Sequence, residues 1–268
     1  MSWGTVVVPL DGSDFAERAV PVAKALAEAA GAGMLLVSSR VRGPDDPSGY
    51  LERVATQQLG DGAVETAVVW DRPAPETIEL MTREDEDRVV CMTTHGRGRL
   101  RWAMLGSVAE SVVAATSRPL VLVGPHCSED WSPHGPVLVG LDGTEGSEGV
   151  VPAAAAWART LGSELHGAIV IHPLDVPYAE HPETLLDPIA RRLADHGISG
   201  QLEVLRASFV AGALVDHAND INAAMLAMTA HARGEFRRLA LGSVSMGVVG
   251  LARCPVIVSH QEQGGQNS

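Results

Sequence analysis

The segment that decides the fold is Val6-Val7-Val8-Pro9-Leu10-Asp11-Gly12-Ser13, because the chain contains it twice. The second copy is Val137-Leu138-Val139-Gly140-Leu141-Asp142-Gly143-Thr144, which begins 131 positions further along. In both copies a run of mostly apolar residues leads into Asp-Gly and then a hydroxyl residue. This pattern predicts a buried strand, followed by a turn and the capped start of a helix.

A second block, near the end of each half, is repeated as well. His95-Gly96-Arg97-Gly98 and the later Leu105-Gly106-Ser107-Val108 recur as His231-Ala232-Arg233-Gly234 and Leu241-Gly242-Ser243-Val244, 136 positions on. Internal repeats indicate duplicated structural units. We therefore predict two homologous domains, at 1–125 and 136–260, with a linker at 126–135 and a flexible tail at 261–268.

Each half alternates short β-branched runs with Ala-rich segments, which is typical of parallel βαβ units. Strands are predicted in the first half at 5–10, 34–39, 64–70, 88–94 and 119–123, and in the second at 136–141, 166–172, 201–207, 223–230 and 255–259. A helix is predicted at 14–30, where apolar residues recur at i, i+3 and i+4. The predicted fold class is α/β, with two tandem, doubly wound, five-stranded parallel sheets. Ligands of such sheets bind beyond the carboxyl ends of the strands.

The composition restricts the classes of function. Hydrophobic residues make up 46% and charged residues 20% of the 268 residues, which favours a globular protein. The formal net charge of −13 argues against a nucleic-acid-binding surface and against a membrane-surface role, because both depend on clustered Lys and Arg. The sequence also has no apolar run of the ~20 residues that a membrane helix needs.

Cysteine usage and the N-terminus bear on the compartment. The three cysteines are widely spaced and form neither a metal-binding motif nor an even disulfide framework. The N-terminal residues lead directly into a predicted strand and lack a signal-peptide pattern. We therefore expect a cytoplasmic protein with reduced thiols.

The strongest candidate for a ligand site follows the fourth predicted strand of the first half. Gly96 is followed, after nine residues, by Gly106 and Ser107 at the predicted start of an amphipathic helix. Unpaired amide groups at a helix N-terminus bind anions, and glycines let the backbone approach closely. The intervening segment carries three arginines, the first of them Arg97, and no acid. A phosphate site and a solvated loop with a simple helix cap both fit this spacing.

Other chemistry-bearing residues admit two interpretations. Asp11 can present its carboxylate to a ligand, or it can belong to a plain turn in which Ser13 caps the next helix. His95 and His231 follow their strands symmetrically without an evident carboxylate or nucleophile partner, so they are better explained as loop-positioning residues than as acids or bases. No Walker lysine follows Gly106, and no nucleophile-elbow motif occurs, so no catalytic residue is predicted.

Taken together, these residues resemble the ATP-binding members of the universal stress protein family. The pattern of that family is a glycine, two residues, a glycine, nine residues, and a glycine followed by serine or threonine, with an aspartate at the end of the first strand. Here the pattern is matched by Gly96, Gly106-Ser107-Val108 and Asp11, and the resemblance covers essentially the whole chain, twice. It implies Rossmann-like, nucleotide-binding α-hydrolase-like domains.

The resemblance also implies roles for individual residues. Asp11 would hold the ribose, and the backbone near Pro9 and Met92 would line the adenine pocket. The phosphates of ATP, with magnesium and without a protein metal ligand, would be wrapped by Gly96, Gly106, Ser107 and Val108. The other nucleotide-binding positions predicted are Ser38, Thr93 and Arg97 in the first half and Asp142, Met228, Ala232, Gly242, Ser243, Val244 and Ser245 in the second.

Three positions depart from the family pattern. Thr93 replaces the first glycine of the first half, and Thr229 and Ala232 replace both early glycines of the second. A Cβ at Ala232 would be strained if the loop required a positive φ there. We therefore expect ATP to bind the first half in preference to the second.

The function predicted from the sequence is ATP binding with a regulatory role in the stress response, exercised with a protein partner and without catalysis. Two alternatives stay open: a protein-interaction module whose degenerate loops have lost the nucleotide, and a slow ATPase. The resemblance further implies that the last strands, near 119–123 and 255–259, pair with each other, so that the halves form an internal pseudo-dimer. A homodimer of whole chains is left open.

Overall fold

The computed structural model describes residues 3–40, 46–60, 64–83, 85–95, 105–116, 118–174, 186–187, 189–191, 194, 201–230 and 241–260. All ten predicted strands occur in these ranges, each within two residues of its predicted ends. They are β1 (Thr5–Pro9), β2 (Gly33–Arg40), β3 (Val64–Trp70), β4 (Arg88–Thr93), β5 (Leu120–Val123), β6 (Val137–Leu141), β7 (Leu165–Ile171), β8 (Leu202–Arg206), β9 (Met225–Ala230) and β10 (Val256–His260).

Helices alternate with these strands in both halves. The first half contains α1 (Asp14–Glu17), α2 (Ala19–Ala30), α3 (Pro47–Val54), α4 (Ala74–Arg83) and α5 (Ser107–Ala115). In the second half a 3-10 turn (Glu145–Val150) leads into α6 (Val151–Thr160), and α7 (Val210–Asp220) and α8 (Ser243–Leu251) follow. Among the described residues, none of the helices is both long and apolar enough to cross a membrane.

The prediction of one continuous helix at 14–30 is wrong, because the helix is interrupted at Arg18. The physical reason is Pro21, which lies in the first turn of α2. Proline has no amide to donate, and its ring would clash with the carbonyl of Glu17, four residues earlier, if the helix continued. Pro152 has the same place in the first turn of α6, where a 3-10 turn replaces α1.

The ten strands form one continuous sheet in the order β3-β2-β1-β4-β5-β10-β9-β6-β7-β8. Strand pairs within each half are parallel, whereas β5 and β10 join the halves in an antiparallel pair with Val121 opposite Ile257. The pairing predicted for the last strands is therefore present. Because this joint is antiparallel, the carboxyl ends of the strands in the two halves lie at opposite edges of the sheet.

Both faces of the sheet are covered by helices, and both buried cores are shared between the halves. One apolar cluster lies beneath α2, α3 and α6, and the other beneath α4, α5, α7 and α8. Trp3 of the first half stacks on the fully buried Trp157 of the second, with 5.3 Å between the ring centroids. The two repeats thus fold around common cores rather than two separate ones.

The connection between the halves is packed against both of them. The Arg18 guanidinium donates hydrogen bonds to the carbonyl oxygens of Pro125 and Cys127, at 3.0 and 2.8 Å. The indole N–H of Trp131 donates to the carbonyl oxygen of Ala224 at 2.8 Å. The predicted linker therefore ties the two halves together through specific hydrogen bonds.

The three cysteines of the chain are free thiols in buried positions. Burial raises the pKa of Cys127 to about 11 and that of Cys254 to about 12, and it raises the pKa of Cys91 further above its usual range. Because the thiolate is the reactive form, we predict that iodoacetamide at pH 8 leaves the native protein unmodified and alkylates all three cysteines in denaturant. Mass spectrometry of the two samples tests this, and rapid labelling of the native chain would contradict it.

Candidate functional site

A cavity of about 300 Å³ lies at the carboxyl ends of the strands in the first half. Because β1 lies between β2 and β4 in the sheet, the cavity runs across the end of β1 from the β2 side to the β4 side. This volume is at the lower end of the range for small-molecule sites. The structure brings together seven of the predicted residues on its walls: Pro9, Asp11, Met92, Thr93, Gly106, Ser107 and Val108.

Three predicted residues of the first half are not among the cavity residues. Ser38 requires a correction: successive strand residues face opposite sides of a sheet, and its neighbours Val37 and Ser39 are the ones that line the cavity. Ser39 is thus the serine of β2 that lines the cavity, and its hydroxyl donates to the Arg72 carbonyl oxygen. The predicted Gly96 and Arg97 lie outside the described residues.

The turn after β1 gives Asp11 two roles. Its Oδ1 accepts hydrogen bonds from the amide of Ser13 at 3.0 Å and from the hydroxyl of Ser13 at 2.6 Å. The Ser13 Oγ in turn accepts from the Ala16 amide at 3.2 Å, which caps α1. Gly12 adopts a φ of 86°, a value that favours glycine. The cap interpretation of the Asp-Gly-Ser segment is therefore correct, and Asp11 is also a residue of the cavity wall.

The start of α5 forms the opposite end of the cavity. Gly106 is the N-cap residue, and its amide donates to the Thr94 carbonyl oxygen at 2.7 Å. A Cβ on Gly106 would lie 3.1 Å from that oxygen and 3.4 Å from the Cα of His95, so the helix start and the end of β4 are in close contact. Because glycine has no side chain to cap the helix, the first amides of α5 receive no bond from the cap residue. This is the geometry that binds anions at helix N-termini.

Thr93, which stands where the family pattern has a glycine, directs its hydroxyl into its own loop. The hydroxyl donates to the His95 carbonyl oxygen at 2.8 Å. The extra side chain is therefore accommodated by a local hydrogen bond, and the cavity persists beside it.

His95 is a cavity residue that sequence reasoning had assigned only to loop positioning. Its Nδ1 lies 2.9 Å from the Thr94 hydroxyl, and its ring packs edge-on against Phe15 with 5.8 Å between centroids. The other ring nitrogen, Nε2, is buried and has no hydrogen-bond partner among the described residues. Buried polar atoms are normally paired, so this nitrogen is an exception that lies next to the cavity.

The wall formed by α4 was also missed by sequence reasoning. Ala74, Thr77 and Ile78 line the cavity from α4. The signal available in the sequence was their helical i, i+3, i+4 spacing, which marks one face of a helix. That spacing identifies a buried face, but it does not reveal that this face borders a cavity.

In the second half, two side chains lie against the strand at the position that corresponds to Pro9. Gly140 replaces Pro9, and a Cβ at Gly140 would overlap the Met228 sulfur and lie 3.0 Å from Leu214 Cδ1. The side chains of Met228 and Leu214 therefore lie against β6. Their counterparts in the first half, Met92 and Ile78, line the open cavity instead.

The buried hydroxyl of Thr229 connects the end of β9 to the 3-10 turn that precedes α6. Thr229 Oγ1 donates to the Ser147 carbonyl oxygen at 2.8 Å and accepts from the Val150 amide at 3.0 Å. These bonds hold the 3-10 turn against the strand end. The hydroxyl of Ser245, in the first turn of α8, donates to the Thr229 carbonyl oxygen at 3.3 Å.

The other residues predicted for the second half repeat their first-half geometry. Asp142 Oδ1 accepts from the amide and hydroxyl of Thr144, at 3.0 and 2.6 Å. Gly242 is the N-cap of α8, and Ser243 and Val244 begin that helix. The predicted Ala232 lies outside the described residues.

The duplicated, doubly wound sheet with a cavity beyond its carboxyl ends defines the chain as a tandem Rossmann-like α/β protein. The profile of the universal stress protein family matches residues 2–124 and again residues 134–260. The chain therefore belongs to the universal stress protein family, with two copies of the family domain.

Individual relatives agree with this assignment. A universal stress protein of Mycobacterium tuberculosis (strain ATCC 25618 / H37Rv) is 31% identical over 218 residues, which cover 74% of this chain and 70% of that protein. A solved universal stress protein from Archaeoglobus fulgidus has a TM-score of 0.67 at 18% identity, covering 96% of this chain and 98% of that chain. A functionally unknown protein from Pseudomonas aeruginosa has a TM-score of 0.70 at 15% identity, covering 96% and 92%. At these identities the two structures show the fold alone.

Proposed function

We propose that the first half of the chain binds ATP in the cavity at the end of β1, and that the bound nucleotide has a regulatory rather than a catalytic role. The observation that carries the proposal is the order of groups along the cavity. An apolar wall lies on the β2 side, a carboxylate residue at the end of β1, and an uncapped helix N-terminus on the β4 side. This is the order of base, ribose and phosphates in a nucleotide.

The apolar end suits a flat base. Val37 of β2 and Ile78 of α4 contribute aliphatic surface there, and Pro9 and Met92 extend it along β1 and β4. Pockets for small molecules are mostly apolar, with a few polar groups that fix orientation. Asp11, at the end of β1, is placed to receive the ribose hydroxyls between this wall and α5.

The opposite end suits phosphates. The amides of Ser107 and Val108 lie at the start of α5, where the helix dipole and the unpaired donors favour an anion. The buried Nε2 of His95 adds a polar atom on the same side. Gly96 and Arg97 remain predicted phosphate contacts.

Magnesium is expected to arrive with the triphosphate. No group of three or more His, Cys, Asp or Glu residues suited to a metal ion occurs in the part of the chain that the structure describes. Mg²⁺ keeps several waters and commonly binds through substrate phosphates with few protein ligands. The proposal therefore requires no protein metal centre.

The second half is proposed to bind no nucleotide. Met228 and Leu214 lie against Gly140, which has the place of Pro9 in the repeat, and the hydroxyl of Thr229 holds the 3-10 turn at the end of β9. We expect one ATP per chain. In the cytoplasm, where the buried thiols stay reduced, the occupied first half would act as a signal in the stress response, read by a protein partner.

Isothermal titration calorimetry with Mg-ATP tests the proposal. We expect the titration to give a stoichiometry of one ATP per chain. In a separate thermal unfolding experiment, ATP at 100 times Kd is expected to stabilise the folded protein by about 2.7 kcal/mol, which is measured as a rise in melting temperature. Two sites per chain would contradict a closed second half. No binding at all would leave the protein-interaction alternative, and formation of ADP in the same mixture would support the slow ATPase.

A further inference from the structure

The cavity wall formed by α4 includes a threonine with a buried, unpaired hydroxyl. Thr77 lines the cavity from α4 with only 1% of its surface exposed, and its Oγ1 has no hydrogen-bond partner among the described residues. A buried hydroxyl left unpaired in this way destabilises the ligand-free protein.

A second threonine on the same helix shows that this situation is specific to the cavity. Thr82 is equally buried, at 1% exposed, but its hydroxyl lies 3.2 Å from the Ile78 carbonyl oxygen and 2.9 Å from that of Glu79. Thr82 is not a cavity residue. The hydroxyl is thus paired in Thr82, and it is unpaired in Thr77, the threonine of this helix that belongs to the cavity wall.

Several other hydroxyls of the cavity wall have a partner within the protein. Ser39 donates to the Arg72 carbonyl and Thr93 to the His95 carbonyl, while the Thr94 hydroxyl contacts the His95 ring. The unpaired polar atoms among the described cavity residues therefore include Thr77 Oγ1 in α4 and His95 Nε2 after β4.

We propose that Thr77 is a specificity-determining residue, whose hydroxyl forms a hydrogen bond with the edge of the adenine base. This inference rests on the proposed function of the cavity. A hydroxyl both donates and accepts, so it can pair with a ring nitrogen or with the exocyclic amino group of the base. The surrounding aliphatic side chains contact the faces of the ring and leave base recognition to this atom.

The test compares Thr77→Val, Thr77→Ser and Thr82→Val by calorimetry with Mg-ATP and Mg-GTP. Valine has the shape of threonine without the hydroxyl and a similar helix propensity. Thr77→Val is expected to weaken ATP binding about 10-fold and to reduce the preference for ATP over GTP, since a buried base edge loses its partner. Thr77→Ser keeps the hydroxyl and is expected to stay within about 3-fold of wild type, and Thr82→Val is expected to bind like wild type.

The melting temperature without ligand provides a second readout. Because Thr77→Val removes an unpaired polar group, its ligand-free protein should melt at or above the wild-type temperature, while its ATP affinity falls. Wild-type affinity in Thr77→Val, or an equal loss in Thr77→Ser, would overturn the role of the hydroxyl. Absence of ATP binding in the wild type would instead remove the proposed function itself, and the role of Thr77 with it.

Discussion

A Ser107→Glu substitution is expected to abolish ATP binding with the fold intact, whereas the matched Ser243→Glu substitution is expected to leave ATP binding unchanged. Ser107 and Ser243 occupy the same position in the repeat, directly after the N-cap glycines of α5 and α8. Only Ser107 borders the open cavity. The pair therefore separates an effect on the nucleotide site from a general effect at a helix start.

Both variants should fold. Ser107 and Ser243 are exposed, so a longer side chain can extend into solvent. A carboxylate in the first turn of a helix also interacts favourably with the helix dipole, by about 0.3–1 kcal/mol. We expect melting temperatures without ligand that equal or slightly exceed that of the wild type for both variants.

The loss of ATP affinity in Ser107→Glu has an electrostatic cause. The new carboxylate competes for the amides at the start of α5 and repels the phosphates that would approach them. Two unit charges 4 Å apart near a protein surface interact by about 4 kcal/mol, so a decrease in affinity of at least about 100-fold is expected. Calorimetry with Mg-ATP measures it in both variants.

Each outcome of this comparison has a distinct meaning. Wild-type affinity in Ser107→Glu would show that the nucleotide does not use the start of α5. A comparable loss in Ser243→Glu would show that the second half binds nucleotide after all, despite the position of Met228 against Gly140.

The strand positions could be predicted from the sequence because the two halves repeat the same local pattern. Val6–Val8 and Val137–Val139 are apolar runs that end at Asp-Gly, and both form central parallel strands buried on both faces. The interruption of the helix at Arg18 could also have been found, since Pro21 is incompatible with a continuous helix. The periodic spacing of apolar residues had favoured one continuous helix, although Pro21 was the more reliable local indication.

The cavity was predicted only in part, because its walls come from segments that are distant in sequence. Asp11 and Gly106 lie in motifs with a fixed spacing, so the pattern identifies them. Thr77 and His95 become cavity residues only when α4 and the end of β4 pack around β1. Which of the two adjacent residues, Ser38 or Ser39, lies on the cavity side of β2 depends on the alternation of side chains along the strand. The amino-acid composition of the segment does not determine that alternation.

The expectation that the second half binds ATP less well was based on Thr229 and Ala232, which replace glycines of the family pattern. The structure adds a further difference between the halves at Gly140. Without the ring that Pro9 has in the first half, the Met228 side chain lies against the strand. The difference between proline and glycine at this position thus changes the packing of a neighbouring side chain, Met228. That packing cannot be deduced from the sequence alone.

Gly124→Ala is expected to destabilise the whole protein strongly, because Gly124 lies where the backbones of the two halves touch. The residue directly follows β5, and a Cβ there would overlap the carbonyl oxygen of Val249 in α8. Backbone atoms cannot move aside as a flexible side chain can. Relief would require α8 to shift from the shared core that contains Val248 and Leu122.

Overpacking of a well-packed core destabilises by about 1–3 kcal/mol, and we expect the upper end of that range here because the clash is with backbone. For a chain of this size, this corresponds to a melting temperature about 6–12 °C lower. Gly33→Ala is the matched control: its Cβ would meet the Gly4 carbonyl oxygen at an ordinary 3.8 Å, so its melting temperature should stay close to wild type.

The shape of the transition adds a second criterion. Because both cores contain residues of both halves, the wild type and Gly124→Ala should each unfold in a single cooperative step. Differential scanning calorimetry measures the midpoint and the number of transitions together. A Gly124→Ala protein that melts like the wild type would show that the contact with Val249 is not close in solution, and two separate transitions in the wild type would show that the halves fold independently despite the continuous sheet.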